Sequence, residues 1–342
     1  MDPSTLPLAG RIDQHTIVSE ALRDNPLGDP FERPLWVHVP PGYDEGTERL
    51  PVVYVIQGYT GQVTMWANSM PFKPTYLETA DRVLADGPPV IVVYVDAWTS
   101  YGGSQYVDSV GTGDYLTYLC DEVVPFVDER YRTLAARESR GIQGKSSGGY
   151  GAMTVPLRRP DVFGALATHA GDALYELCYL REFGKAARTL RDYDGDVFAW
   201  WADFNAHQPF MKPADAVLLE LFGCSACYSP APDGTPQLPF DPLTGEPVAE
   251  QWGRWLANDP VRLVRERADV VPDLVAVWID AGRSDDFFLD LGAQVFRDRV
   301  LEAGLPEDRL HFELFDGTHA GIDFRYPLSL AWLASRLSRP GK

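Results

Sequence analysis

The chain has 342 residues and a mass of 38.0 kDa; 45% of its residues are hydrophobic and 23% charged. That composition argues against intrinsic disorder, and the length suits two average domains or one large α/β domain with an insertion. Thirty basic against 49 acidic side chains leave a net charge of −19, which argues against nucleic acid and against anionic membrane surfaces as partners.

No apolar run approaches the roughly eighteen residues that a membrane-spanning helix needs. The opening MDPSTLPLAGRIDQ lacks the basic start and apolar core of a secretory signal, so a cytoplasmic location is expected. The first half of the chain alternates strand and helix patterns. Residues 16–22 and 35–39 read as strands. The β-branched runs PVVYVIQ (51–57) and VIVVYVD (90–96) read as strands buried on both faces. Residues 74–85 have helical spacing. From 113 to 130 the apolar residues recur at steps of three and four, which predicts an amphipathic helix kinked at Pro125. A short strand is expected at 139–144, a helix at 147–159 with Pro156 awkwardly inside it, and a strand at 165–169. Later strands are expected at 275–280 and 310–315, separated by a helix through 295–303, with a last helix at 329–337. This alternation predicts a mostly parallel, doubly wound sheet.

Residues 173–255 break the rhythm. They are rich in aromatics, including Trp200, Trp201, Phe204, Phe210, Phe222 and Trp255, and contain the loop SPAPDGTPQLPFDPLTGEP. They read as a lid insertion over the C-terminal edge of the sheet, with 1–172 and 256–342 forming the core domain. Of the four cysteines, Cys120, Cys178, Cys224 and Cys227, the last two make a single C-x-x-C. Without a second pair it reads as structural thiols or a local disulfide rather than a metal site.

The sharpest chemical feature is Gly144-Lys-Ser146-Ser-Gly148, a G-x-S-x-G between a predicted strand and a predicted helix. Chemistry at this motif needs the serine on a tight strand-to-helix turn, with the helix N-terminus favouring a developing oxyanion. Ser146 is the candidate nucleophile, and the glycine spacing favours it over Ser147. Its base is sought among six histidines. His319, in the Gly-flanked loop DGTHAG after the last strand, suits the chain order nucleophile, acid, base. The acid is sought in AGRSDDF after the strand at 275–280, where Asp285 is favoured over Asp286 and Asp280 stays within the strand. Oxyanion donors are expected from the N–H groups of Ser147 and of Tyr59, in the loop Gly58-Tyr-Thr-Gly61. Substrate-lining candidates are Gly58, Trp66, Asp172, Trp200 and Trp201.

The segments VHVPPGY, LPVVYVIQGYTG, GDYLTYLCDEVVPFVDERYRT, SRGIQGKSSGGYGAMTVPLRRPDVFGALATHAG, NDPVRLV, DAGRSDDFFL and FDGTHAG resemble the putative-esterase family of α/β-hydrolases. That family includes feruloyl and acetyl-xylan esterases, S-formylglutathione hydrolases, enterochelin-type esterases and mycolyltransferases. The resemblance implies an α/β-hydrolase fold with Ser146, Asp285 and His319 as nucleophile, acid and base, and it needs no metal or organic cofactor. Lys145 and Ser147 replace the His or Leu and the Met that often flank the serine in the family. The expected activity is carboxylic-ester hydrolysis on a small-molecule ester through an acyl-enzyme. The aromatic insertion suggests an aryl or bulky apolar substrate portion, the alternative being a packed core of its own. Acyl transfer to an alcohol or sugar, amide hydrolysis, and an inactive binding module are the rival readings. The sequence does not set the oligomeric state, a homodimer being one option.

Overall fold

Short β-branched runs between turns build the centre of the sheet, as their two-sided apolar pattern requires. The computed structural model describes residues 7–207 and 212–338; Phe210 and the first six residues lie outside these. The strands are β1 (Arg11–Val18), β2 (Glu32–Val39), β3 (Val52–Ile56), β4 (Ile91–Val95), β5 (Arg140–Ser146), β6 (Ala165–Gly171), β7 (Ala276–Gly282) and β8 (Leu310–Phe315). Their order across the sheet is β1-β2-β4-β3-β5-β6-β7-β8. Pairings from β4 onward are parallel, while β1–β2 and β2–β4 are antiparallel.

Alternate strand residues feed two cores. Val53, Val55, Val92, Tyr94 and Trp278 pack on one face under α1 (Tyr76–Asp86) and the C-terminal helix Arg325–Arg336. Tyr54, Ile56, Ile142, Leu166 and Ile279 pack on the other, with α2 (the helical run 115–130), α3 (Ser147–Arg158) and the later helix Leu289–Glu302. Burying a large aliphatic side chain contributes about 1.5–3 kcal/mol, so this two-sided burial is what fixes the sheet.

Three expectations need correction. The first strand lies at Arg11–Val18 and not at 16–22: pairing of Arg11 with Val39 through Val18 with Glu32 sets its register. Beyond it the chain turns away, held by the Glu122 carboxylate, which accepts from the N–H groups of Glu20 and Ala21 at 2.9 Å. The helix expected over 113–130 starts at Tyr115 and includes a π-helical stretch, Tyr118–Val123, just before Pro125. Its wider turn covers the place where Pro125 has no N–H to donate. The helices expected at 295–303 and 329–337 start earlier, at Leu289 and Arg325.

The segment 173–255 forms helices α4 (Phe183–Leu190), α5 (Val197–Ala206), α6 (Asp215–Tyr228) and α7 (Ala249–Leu256). Its aromatics do not make a separate core. Trp200, Phe222 and Trp255 belong to the same buried cluster as Ile56 and Tyr150. The four cysteines are buried free thiols.

Candidate active site

Strand β5 ends at Ser146 and α3 begins at the next residue. Ser146 itself holds φ 56° and ψ −126°, a strained conformation for a side-chain-bearing residue that lifts its hydroxyl off the strand end. The flanking glycines follow from close approach. A Cβ on Gly148 would sit 2.7 Å from the Ile56 carbonyl oxygen and 2.8 Å from that of Gln57, and one on Gly144 would collide with Gly148.

His319 comes from the loop after β8. Its Nε2 lies 3.1 Å from Ser146 Oγ, and its Nδ1 lies 2.9 Å from Asp285 Oδ2. Asp285 is buried, and its other oxygen accepts from the N–H groups of Phe287 at 2.9 Å and Leu289 at 3.3 Å. The carboxylate is thereby fixed before any substrate arrives. Asp286 has a different job: its Oδ2 accepts from the His319 backbone N–H at 3.4 Å. The two loops are also tied by main-chain bonds from Arg283 to Phe315 and from Ser284 to Gly317. The Phe287 ring meets the imidazole edge to face at 4.9 Å.

Ser147 Oγ faces away from His319. It accepts from Gln105 Nε2 at 3.0 Å and donates to Asp172 Oδ2 at 3.0 Å. Its N–H, at the first position of α3, has no partner within the helix. Tyr59 N–H carries no hydrogen bond among the described residues. The Tyr59 hydroxyl donates to the carbonyls of Tyr101 at 2.5 Å and Leu219 at 2.6 Å, tying this loop to α6. Gly58 packs on the nucleophile turn, its missing Cβ position 3.6 Å from Ser146 Cβ. Lys145 is partly buried, and burial lowers its pKa.

The three tryptophan candidates pack among other rings. Trp200 is fully buried against Trp201, Phe204 and Phe222, and its indole N–H donates to Asp215 at 3.0 Å. Trp201 stacks on Phe204 at 5.4 Å. Aromatic rings bury themselves against one another before they line a pocket, so Trp200 is core and the substrate role expected of it is withdrawn. Trp66 packs among Tyr76, Tyr94 and Tyr326 on the opposite sheet face, and it borders a cavity of about 410 Å³ with Met65, Met70 and Phe324. Asp172, by contrast, reaches Ser146: its Oδ1 is 3.5 Å from Ser146 Oγ.

Sequence reasoning missed Gln105 and Tyr179. Gln105 orients Ser147, and Tyr179 O–H donates to Asp172 at 2.9 Å. The loop GGSQY offered only its glycines as a signal, although Gln105 and Tyr106 both take positive φ, at 51° and 52°.

A second Ser-His-Asp arrangement sits deeper. His169 lies 2.7 Å from Asp280 Oδ1 and 2.9 Å from Ser329 Oγ. All three residues are 0% exposed, so no substrate reaches them. This set joins β6, β7 and the C-terminal helix.

Esterase Rv1288 of Mycobacterium tuberculosis is 27% identical to this chain over 281 residues, covering 80% of the chain and 50% of that protein. An endo-1,4-beta-xylanase/feruloyl esterase of Xylanibacter ruminicola is 30% identical over 134 residues, 37% of this chain and 18% of that protein. The chain thus spans half or less of the length of these curated relatives. Among solved structures, a ferulic acid esterase superposes with a TM-score of 0.59 at 18% identity, covering 97% of this chain and 100% of that one. An S-formylglutathione hydrolase from Agrobacterium tumefaciens superposes with a TM-score of 0.58 at 18% identity, covering 98% of each chain. At such identity the likeness is one of fold, that of the α/β-hydrolases. The family model described as Putative esterase matches residues 31–329; the chain belongs to that family.

Proposed function

We propose that the protein is a serine carboxylic-ester hydrolase. The observation that carries this reading is the imidazole of His319 standing between Ser146 Oγ at 3.1 Å and Asp285 at 2.9 Å. A serine hydroxyl attacks a carbonyl at neutral pH only with a base at hydrogen-bond distance, and that base needs a partner to hold its tautomer. His319 Nε2 takes the Ser146 proton as Oγ bonds to the ester carbonyl carbon. The resulting oxyanion accepts from the N–H groups of Ser147 and Tyr59. Collapse expels the alcohol, which leaves with the proton from His319. Water, deprotonated by the same nitrogen, then attacks the acyl-enzyme and releases the acid and free Ser146.

The substrate class we infer is a small-molecule ester. The insertion's aromatics are spent on packing. The names of the two curated relatives, an esterase and a feruloyl esterase, agree with ester chemistry. Ser146→Ala should lower kcat by on the order of 10⁵- to 10⁶-fold on a chromogenic aryl ester and abolish labelling by a fluorophosphonate probe, with an unchanged melting midpoint. Turnover retained in that variant would remove the basis of the assignment.

A further inference from the structure

Asp172 is the first residue past β6, and its backbone N–H donates to the Ser146 carbonyl at 3.4 Å. Its side chain is 3% exposed. One carboxylate oxygen lies 3.5 Å from the attacking Oγ, and the other takes the hydroxyls of Ser147 and Tyr179. Both donors are neutral. Among the described residues, no lysine or arginine forms an ion pair with Asp172. Burial raises its pKa, against a smaller pull from the Tyr179 hydroxyl, His319 and the Ser147 hydroxyl.

This arrangement sits badly with a neutral ester. Attack builds negative charge on the carbonyl oxygen, a few bonds from Oγ. A desolvated carboxylate beside the nucleophile opposes that charge, because interactions in a water-poor site are poorly screened. The chain supplies two N–H donors for the oxyanion but no permanent cation for Asp172: His319 is charged only while it holds the Ser146 proton. A cation brought by the substrate completes the site.

We propose that Asp172 is a specificity-determining residue that selects esters bearing an ammonium group close to the ester bond. This rests on the esterase reading of Ser146. An ammonium two to four bonds from the carbonyl carbon comes within ion-pair range of a carboxylate placed against the attacking oxygen. Either the acyl or the alcohol portion can carry it.

The test compares matched esters at pH 6.5, each enzymatic rate divided by that ester's own hydroxide hydrolysis rate. Alanine ethyl ester is set against ethyl propionate for the acyl side, and choline propionate against 3,3-dimethylbutyl propionate for the alcohol side. For at least one pair the cationic ester should show a kcat/KM ten or more times that of its neutral partner. In Asp172→Asn that ratio should fall to near one. In wild type, choline should slow fluorophosphonate labelling of Ser146 more than 3,3-dimethylbutanol does, a measurement that needs no variant to fold. Equal or lower rates for both cationic esters, or a preference that survives Asp172→Asn, would overturn the inference while neutral-ester turnover leaves the esterase reading standing. If no ester is turned over and Ser146 resists labelling, both fall together.

Discussion

An imidazole can take the proton of Ser146 only when Nε2 is bare and Nδ1 keeps its own hydrogen. Asp285 sets that tautomer, and two backbone N–H groups hold Asp285. Asp285→Asn should therefore lower kcat about 10⁴-fold through the wrong tautomer, with the fold unchanged by circular dichroism. Asp286→Asn should cost less than about tenfold, since that carboxylate meets only a backbone N–H. Steady-state kinetics on one aryl ester separates the two, and a reversed order would mean that the neighbouring aspartates had exchanged roles. Adjacent residues of identical type cannot be told apart by composition. The loop's own turn, with Asp285 N–H bonded to Gly282, decides which of them faces the ring.

At the level of elements, α6 reaches back to the loop that carries Tyr59. Gly223 leaves room for the Tyr59 ring, and a Cβ there would collide with the Tyr59 hydroxyl and the Tyr101 carbonyl. Gly223→Ala should push Tyr59 off its two carbonyls and lower kcat by about 10- to 100-fold, less than the roughly 10²- to 10³-fold seen when one oxyanion donor is lost outright. Tyr59→Phe, which removes only the hydroxyl, should cost less; equal losses in both would point to a general loosening of α6. Pro156 is tolerated because it falls in the last turn of α3, where only the bond to Ala152 is forfeited, and Arg159 N–H closes the end on Val155 at 2.7 Å.

Across the whole molecule, buried charge governs how stability responds to pH. Burial works to raise the pKa of Asp280, but His169 and Arg325 outweigh it, so the carboxyl ends below its usual value. Its contribution is present above pH 3.8, the ordinary aspartate value, and is lost as pH falls through the lower folded value. Removing one member of such a buried set is costly, and Asp280→Asn should cost about 3–5 kcal/mol in urea unfolding while Ser146 labelling persists in the folded fraction. Glu220 works in the opposite sense. Its pKa rises from 4.5 to about 8, so between those values the folded chain holds a proton that the unfolded chain has released. Stability then falls as pH rises through that window. Glu220→Gln should raise the melting midpoint more at pH 8 than at pH 5; equal shifts at both would remove Glu220 as the cause.

The sheet's central strands, the strand-to-helix turn at Ser146 and the late-loop position of His319 were legible in the sequence, because each depends on neighbours within a few residues: β-branched runs, paired glycines, and a loop after a strand. Helix starts at Leu289 and Arg325 and the true span of β1 were not, since distant pairing and packing set them. Nor could the residues show that the tryptophans at 200 and 201 would be spent on packing, or that His169, Asp280 and Ser329 would form a sealed copy of the same chemistry. Residue type and local spacing determined which groups this protein has available for catalysis. Only the tertiary structure decided which of them water and substrate can reach, and that a lone carboxylate at Asp172 would stand beside the nucleophile, because burial and charge separation are properties of chain segments brought together from far apart.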